Sequence, residues 1–89
     1  MAKAEISWKR VTAEGEKFQA YAQHVGDRWK FYLRSRRFDQ WQAVPEPILE
    51  DWLHLLDAVR RRVNRRLLRP EEEQRVEKSI RERFPDAEL

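Results

Sequence analysis

Two adjacent stretches of alternating residues dominate the pattern of apolar and polar positions. Residues 17–25 read KFQAYAQHV, residues 28–35 read RWKFYLRS, and Gly26-Asp27 lies between them. A two-residue turn at this point predicts an antiparallel hairpin in which Val25 lies opposite Arg28. Because successive side chains of a strand point to opposite sides, the hairpin has two faces. The apolar face carries Phe18, Ala20, Ala22, Trp29, Phe31 and Leu33, and the polar face carries Gln19, Tyr21, Gln23, Lys30, Tyr32 and Arg34.

A third alternating stretch, residues 5–11, precedes the hairpin, and the length of the intervening loop decides its orientation. A two-residue turn would place Trp8 on the polar face, whereas a three-residue loop at 13–15 pairs Trp8 with Ala20. A slip of one residue moves every side chain to the other face, so the register that keeps the apolar residues together is favoured. It also places Gly15 where such loops need a left-handed residue. Ile6 and Trp8 thereby join the apolar face, and Ser7 and Lys9 join the polar face.

The alternation stops after residue 35 and resumes briefly at residues 40–44, where Trp41 and Ala43 are predicted to lie on the apolar face. This short stretch predicts a fourth strand. Two prolines follow, and a proline is well tolerated in the first turn of a helix. Apolar residues then recur at helical spacing over about residues 46–68 and again, in a thinner stripe, over about residues 70–84.

These elements predict an α+β fold. A three- or four-stranded antiparallel β-meander spans about residues 5–44, two α-helices follow at about 46–68 and 70–84, and the first helix packs on one face of the sheet. We expect a single domain over residues 1–89, with the meander at 1–44, a helical hairpin at 45–84 and a flexible tail at 85–89. The size of the chain suits one domain.

Composition narrows the class of protein. Charged residues make up 39% of the 89-residue chain, and four Trp and four Phe concentrate the apolar surface. The absence of cysteine excludes disulfides and thiolate chemistry. The N-terminal residues resemble no signal peptide, and no stretch approaches the roughly 20 apolar residues of a membrane span. We therefore expect a cytoplasmic, bacterial-type protein.

Charge is distributed unevenly along the chain. Residues 1–44 carry nine Lys/Arg and five Asp/Glu, a net charge of +4, whereas residues 70–89 carry four and seven, a net charge of −3. The sheet region is therefore the basic part of the chain. This asymmetry is compatible with a polyanionic ligand, and equally with mutual neutralisation of the two regions.

The polar face is the first candidate for a function. In the predicted register, Tyr21 and Tyr32 are direct neighbours across the hairpin, and cations surround them. Exposed aromatic rings flanked by cations are typical of proteins that bind single-stranded nucleic acid, and a basic ribbon can also enter a major groove. The alternative is an ordinary solvated face on which a tyrosine pair stabilises the sheet. The residues predicted to bind nucleic acid are Lys9, Tyr21, Lys30, Tyr32, Arg34, Arg36 and Arg37.

An arginine run at residues 60–69 is the strongest compositional bias, with six arginines in ten positions. Guanidinium groups are preferred phosphate ligands, so the run is compatible with phosphate binding. The favoured interpretation is ion pairing, because Glu71, Glu72 and Glu73 follow directly and can meet the end of the first helix across the turn. At helical spacing, Glu71–Arg75 and Glu77–Arg81 are further predicted pairs.

The rival function is that of a structural or protein-interaction module. The first predicted helix is apolar over more than one face, which exceeds the need of one small sheet. This surplus is covered either by the second helix or by a partner, which for a homodimer would present the same surface. The residues predicted for such a partner surface are Leu49, Leu53, Leu56, Val76 and Ile80.

Catalytic chemistry has little support in the sequence. The two histidines are His24, expected to face Trp29 near the hairpin turn, and His54, spaced three residues from Asp51 and from Asp57. A zinc site needs three or four converging ligands, so we favour a solvated helix face for His54 and expect neither a metal nor a cofactor. With only two glycines there is no glycine-rich phosphate loop. An enzyme is the remote alternative to a binding module.

The layout alone, a meander followed by a helix on its inner face, is similar to two kinds of small module. One is the three-stranded-sheet DNA-binding domain of integrase arms and plant transcription factors. The other is the curved-sheet single-strand binder of the transcriptional coactivator type. No residues match either module, so no functional position is transferred from them, and fold likeness alone is weak evidence of function.

Overall fold

A computed structural model describes residues 5–26, 28–35 and 40–89 of the chain. The chain forms two compact units, Met1–Pro47 and Ile48–Leu89. The division between them lies close to the predicted boundary between the meander and the helical hairpin. In the described residues, the first unit holds strands β1 (Glu5–Val11), β2 (Lys17–Val25), β3 (Arg28–Ser35) and β4 (Gln42–Val44). The second unit holds helices α1 (Leu49–Asn64) and α2 (Pro70–Arg83). The predicted α+β class is confirmed, as an antiparallel four-stranded sheet in the order β1-β2-β3-β4.

The registers of the first three strands are those predicted from alternation. Trp8 pairs with Ala20 between β1 and β2, and Tyr21 pairs with Tyr32 between β2 and β3. The predicted three-residue loop is also confirmed, with Gly15 at φ +82°, in the left-handed region that a side chain disfavours. In both registers the apolar positions of one strand lie opposite those of the next, so the aromatic residues Trp8 and Phe31 share one face with Ile6 and Leu33.

The orientation of β4 differs from the prediction. Val44 pairs with Phe31 and Gln42 pairs with Leu33, so Ala43 lies opposite Tyr32. The prediction that Trp41 and Ala43 lie on the apolar face was therefore wrong, and both belong to the polar face. The reason is that a three-residue strand offers little alternation, so the packing of Trp41 against Tyr21 decides its register.

The apolar face holds the buried residues of the strands. Ile6, Ala20, Ala22 and Phe31 are buried, and Trp8 packs edge-to-face against Phe31 with ring centroids 6.0 Å apart. Alanines lie opposite large residues, since Ala22 pairs with Phe31 and Ala20 pairs with Leu33. Large and small side chains in alternation allow close packing without overlap.

The helices are shorter than predicted at the ends that adjoin loops. Helix α1 begins at Leu49 rather than near residue 46, because Ile48 is extended (φ −72°, ψ 160°) and accepts from the N–H of Asp51. It ends at Asn64 rather than near residue 68. Helix α2 runs from Pro70 to Arg83, close to the predicted 70–84, with the proline in its first turn.

A left-handed residue ends α1. Arg66 has φ +61°; its N–H donates to the carbonyl of Val63 (3.0 Å), and the N–H of Leu67 donates to the carbonyl of Arg62 (2.8 Å). This pair of hydrogen bonds is the Schellman arrangement, in which the left-handed position is usually glycine. The chain therefore turns at Arg66, before the apolar stripe of the sequence is complete.

The two helices pack together through buried residues at helical spacing. Trp52, Leu55, Leu56 and Val59 are buried on α1, and Val76 and Ile80 are buried on α2. The guanidinium of Arg83 lies 5.1 Å from the centre of the Trp52 ring. Amphipathic stripes on both helices thus account for the helical hairpin.

Candidate nucleic-acid interface

The tyrosine pair lies at the centre of the polar face. Tyr21 on β2 and Tyr32 on β3 are cross-strand neighbours, and their rings are stacked at 4.7 Å with an interplanar angle of 14°. Both side chains are half-buried. The predicted neighbour relation is therefore confirmed, and the two rings form one continuous aromatic surface.

Trp41 extends this surface, which the sequence did not predict. Its ring lies 4.7 Å from that of Tyr21 at an angle of 86°, so the two rings meet almost at a right angle. Trp41 is also 38% exposed, a large fraction for an indole. We call Tyr21, Tyr32 and Trp41 the aromatic cluster.

Arg34 binds to the aromatic cluster from the same face. Its guanidinium carbon lies 4.7 Å from the centre of the Trp41 ring, which is a cation–π distance. The same guanidinium donates a hydrogen bond to Oε1 of Gln19 on the neighbouring strand. Arg34 is thus held by two neighbours and remains half-exposed, with its charge beside the aromatic surface.

The other predicted residues divide into two groups. Lys9 and Lys30 are exposed and lie on the polar face, because Lys9 pairs with Gln19 and Lys30 pairs with Gln23. The structure therefore brings five of the seven predicted residues to one face. The remaining two, Arg36 and Arg37, lie outside the described residues.

A depression opens on the polar face beside Tyr21, with a volume of about 590 Å³. We call it the Tyr21 depression. Its lining residues are Glu5, Ser7, Trp8, Lys9, Gln19, Ala20, Tyr21 and Trp41. Only Lys9 and Tyr21 belong to the predicted site, and the other six lining residues do not. Glu5 could have been identified, since the predicted register already placed it on the polar face opposite Gln23, whereas Trp41 could not.

The electrostatics around Tyr21 reflect this setting. Burial, the neighbouring Tyr32 hydroxyl and the Glu5 carboxylate, in decreasing order of effect, raise the pKa of Tyr21 above its ordinary value of 10.0. All three disfavour a negative charge on the phenol oxygen. Tyr21 is therefore a neutral hydrogen-bonding aromatic side chain over the physiological range.

The histidines are placed on separate units. His24 pairs with Trp29, as predicted, and the two rings stack at 4.6 Å with an angle of 17°. On α1, His54 is exposed, Asp51 is buried, and Asp57 forms an ion pair with Arg61. In residues 5–26, 28–35 and 40–89, no group of three or more His, Asp or Glu side chains is arranged to hold a metal ion.

Ion pairs involve part of the arginine run. Arg60 lies 3.5 Å from Glu73 and 3.1 Å from Glu77, which links the two helices. The predicted Glu77–Arg81 pair is present at 3.6 Å, whereas Arg75 pairs with Glu72 at 2.7 Å rather than with Glu71. Arg60–Glu73 is a pair of the kind that the favoured interpretation expects, whereas Arg61 pairs with Asp57 on its own helix. Exposed pairs of this kind contribute little stability individually.

The residues predicted for a partner surface are placed differently from one another. Leu56, Val76 and Ile80 are buried, each with at most 2% of its surface exposed. Leu49 is half-buried, and Leu53 is 39% exposed. Only the last two are therefore accessible to a partner of the folded chain.

Comparison with known proteins adds no assignment. No family model matches the chain, and neither a curated protein sequence nor a solved structure is significantly similar to it. Among the residues that the structure describes, no helix has the length and apolar character that crossing a bilayer requires. A functional hypothesis therefore depends on the geometry of the polar face.

Proposed function

We propose that the protein binds single-stranded nucleic acid through the polar face of its sheet. The observation that supports this best is the aromatic cluster with Arg34 against it: three rings within 4.7 Å of a neighbour, bordered by a guanidinium. In this proposal, bases stack on the rings, and Lys9, Lys30 and Arg34 contact phosphates.

The physical basis is that bases have apolar faces and a charged backbone. Stacking of a base on an aromatic side chain is worth about 1–3 kcal/mol and tolerates any sequence. Lysines at the rim supply attraction to phosphate without a fixed geometry, whereas Arg34 is positioned by Gln19 and Trp41. The net charge of +4 over residues 1–44 adds a long-range attraction.

Single strands fit this surface better than duplexes do. The bases of a duplex are stacked on one another and present only their edges in the grooves, so rings on a flat sheet have no base face to contact. An unpaired strand exposes these faces. Arg36 and Arg37 directly follow β3 in the sequence but lie outside the described residues, so their role in phosphate binding stays a prediction from the sequence.

A salt titration of binding to short single- and double-stranded DNA and RNA tests the proposal. We expect single strands to bind more tightly than duplexes, with an affinity that falls as salt rises, because phosphate contacts release counterions. Absence of binding at low salt, or binding without salt dependence, contradicts the proposal.

Trp41 offers a sharper test of the aromatic cluster. Trp41→Ala should weaken single-strand binding by about 1–3 kcal/mol, that is by about 5- to 150-fold. Trp41→Phe keeps a ring and should retain most of the affinity. Because Trp41 is partly exposed beside a three-residue strand, we expect both variants to fold, which circular dichroism checks. Equal affinities of the two variants would exclude stacking on Trp41.

A further inference from the structure

The Tyr21 depression is large enough for one planar ligand. Its volume of about 590 Å³ lies within the range of small-ligand sites, about 300–1,000 Å³. Two of its walls are the rings of Tyr21 and Trp41, which meet at 86°. An aromatic corner of this kind holds a flat ring by one face and one edge.

Strand neighbours explain why the depression lies on this side of Tyr21. One side of the Tyr21 ring is stacked on Tyr32, and on its other side the cross-strand neighbour is Ser7. Serine is small, so it leaves space next to Tyr21 that a larger side chain would fill. A base inserted there would continue the stack that Tyr32 and Tyr21 begin.

The polar groups of the depression differ in what they can donate and accept. The Glu5 carboxylate only accepts hydrogen bonds. Oε1 of Gln19 already accepts from Arg34, so its amide nitrogen is the group that can donate to a ligand. Lys9 and Gln19 are exposed, and both line the depression. The influence of the Glu5 charge on the pKa of Tyr21 agrees with a carboxylate close to that phenol.

We propose that the Tyr21 depression binds one unpaired base that carries an exocyclic amino group, with its ring stacked on Tyr21 and its amino group donating to the Glu5 carboxylate. The phosphate of the same nucleotide then lies towards Lys9. This inference rests on the proposed function and adds a base preference to it.

The preference follows from the acceptor character of Glu5. Carboxylates accept hydrogen bonds from the amino group of cytosine, and adenine and guanine carry amino groups too. Uracil and thymine instead place a carbonyl oxygen at the position where cytosine has its amino group. An oxygen directed at a carboxylate is repelled, so these bases are disfavoured.

Two pyrimidines provide the cleanest comparison, because their rings have the same size. We would measure, by fluorescence anisotropy at low salt, the binding of dT octamers with one central dC or one central dU. The wild-type protein should bind the dC octamer about 5-fold more tightly, because a single hydrogen bond is expected to reach only the lower end of the discrimination that a good bidentate base contact gives. Glu5→Gln should abolish this preference, because an amide both donates and accepts.

Glu14→Gln is the matched control. Glu14 is exposed in the β1–β2 loop and does not line the depression, so this variant changes the charge of the same unit equally and should retain the preference. Equal wild-type affinities for the two octamers, or a preference that survives in Glu5→Gln, overturns the inference and leaves the proposed function intact. Absence of binding to either octamer overturns the proposed function as well.

Discussion

Replacing Arg66 by glycine should stabilise the protein, although it removes a charged side chain. Arg66 has φ +61°, and a left-handed conformation costs an L-residue about 1–2 kcal/mol. Glycine avoids this cost and keeps the N–H that donates to Val63. The greater freedom of glycine in the unfolded chain subtracts about 0.4–1 kcal/mol. The expected net gain in the free energy of unfolding is about 0.8 kcal/mol, within a range of about 0–1.6 kcal/mol.

Arg65→Gly is the matched control for this prediction. Arg65 is the adjacent exposed arginine, and its φ of −89° and ψ of 4° need no glycine. This variant loses the same charge near the same helix end but recovers no backbone strain, so it should be destabilised by about 0.4–1 kcal/mol. The two variants should therefore differ by about 1–2 kcal/mol.

Urea unfolding followed by far-ultraviolet circular dichroism measures this difference. The thermal midpoints should differ in the same sense, since about 1 kcal/mol corresponds to about 4–8 °C in a chain of this size. If Arg66→Gly is no more stable than Arg65→Gly, the left-handed conformation of Arg66 does not carry the cost assigned to it, and the reasoning fails.

Two further predictions concern the polar face. Lys30→Gln should reduce the slope of log affinity against log salt by about one, because one phosphate contact is lost. The control Lys78→Gln, on α2, should leave the slope unchanged. If Lys30→Gln has the same slope as the wild-type protein, Lys30 is excluded from the interface. Tyr21 should ionise above pH 10 in the folded protein. Because its folded pKa is raised, its contribution to stability is complete below pH 10 and is lost as pH rises through the folded pKa. Absorbance titration of the wild-type protein should show a tyrosinate transition above pH 10 that the Tyr21→Phe variant lacks. If the two proteins give the same titration curve once the absorbance is divided by the number of tyrosines, the prediction is wrong.

Much of the fold could be predicted because the information is local. The registers of β1, β2 and β3 follow from alternation and from two short loops, each with a glycine at the turn. The Tyr21–Tyr32 pair and the placement of Lys9 and Lys30 on one face follow from those registers. Both helices were predicted from the spacing of apolar residues, since that spacing is also a property of each segment alone.

The ends of α1 could not be predicted in the same way. The apolar stripe continues to Leu67, yet the helix stops at Asn64 because Arg66 is left-handed. Nothing in the chemistry of arginine favours that conformation. The buried pairing of the two helices compensates its cost, and this compensation exists only in the folded unit.

Alternation along β1, β2 and β3 was therefore sufficient to determine the two faces of the sheet and the tyrosine pair on one of them. The placement of Trp41 and the Tyr21 depression were decided by tertiary structure. Strand β4 has three residues and pairs with β3 so that Val44 lies beside Phe31, which brings Trp41 to Tyr21. Three residues alternate too little to specify the register of β4. The sequence permits Trp41 on either face, and the packing of its ring against Tyr21 sets the register.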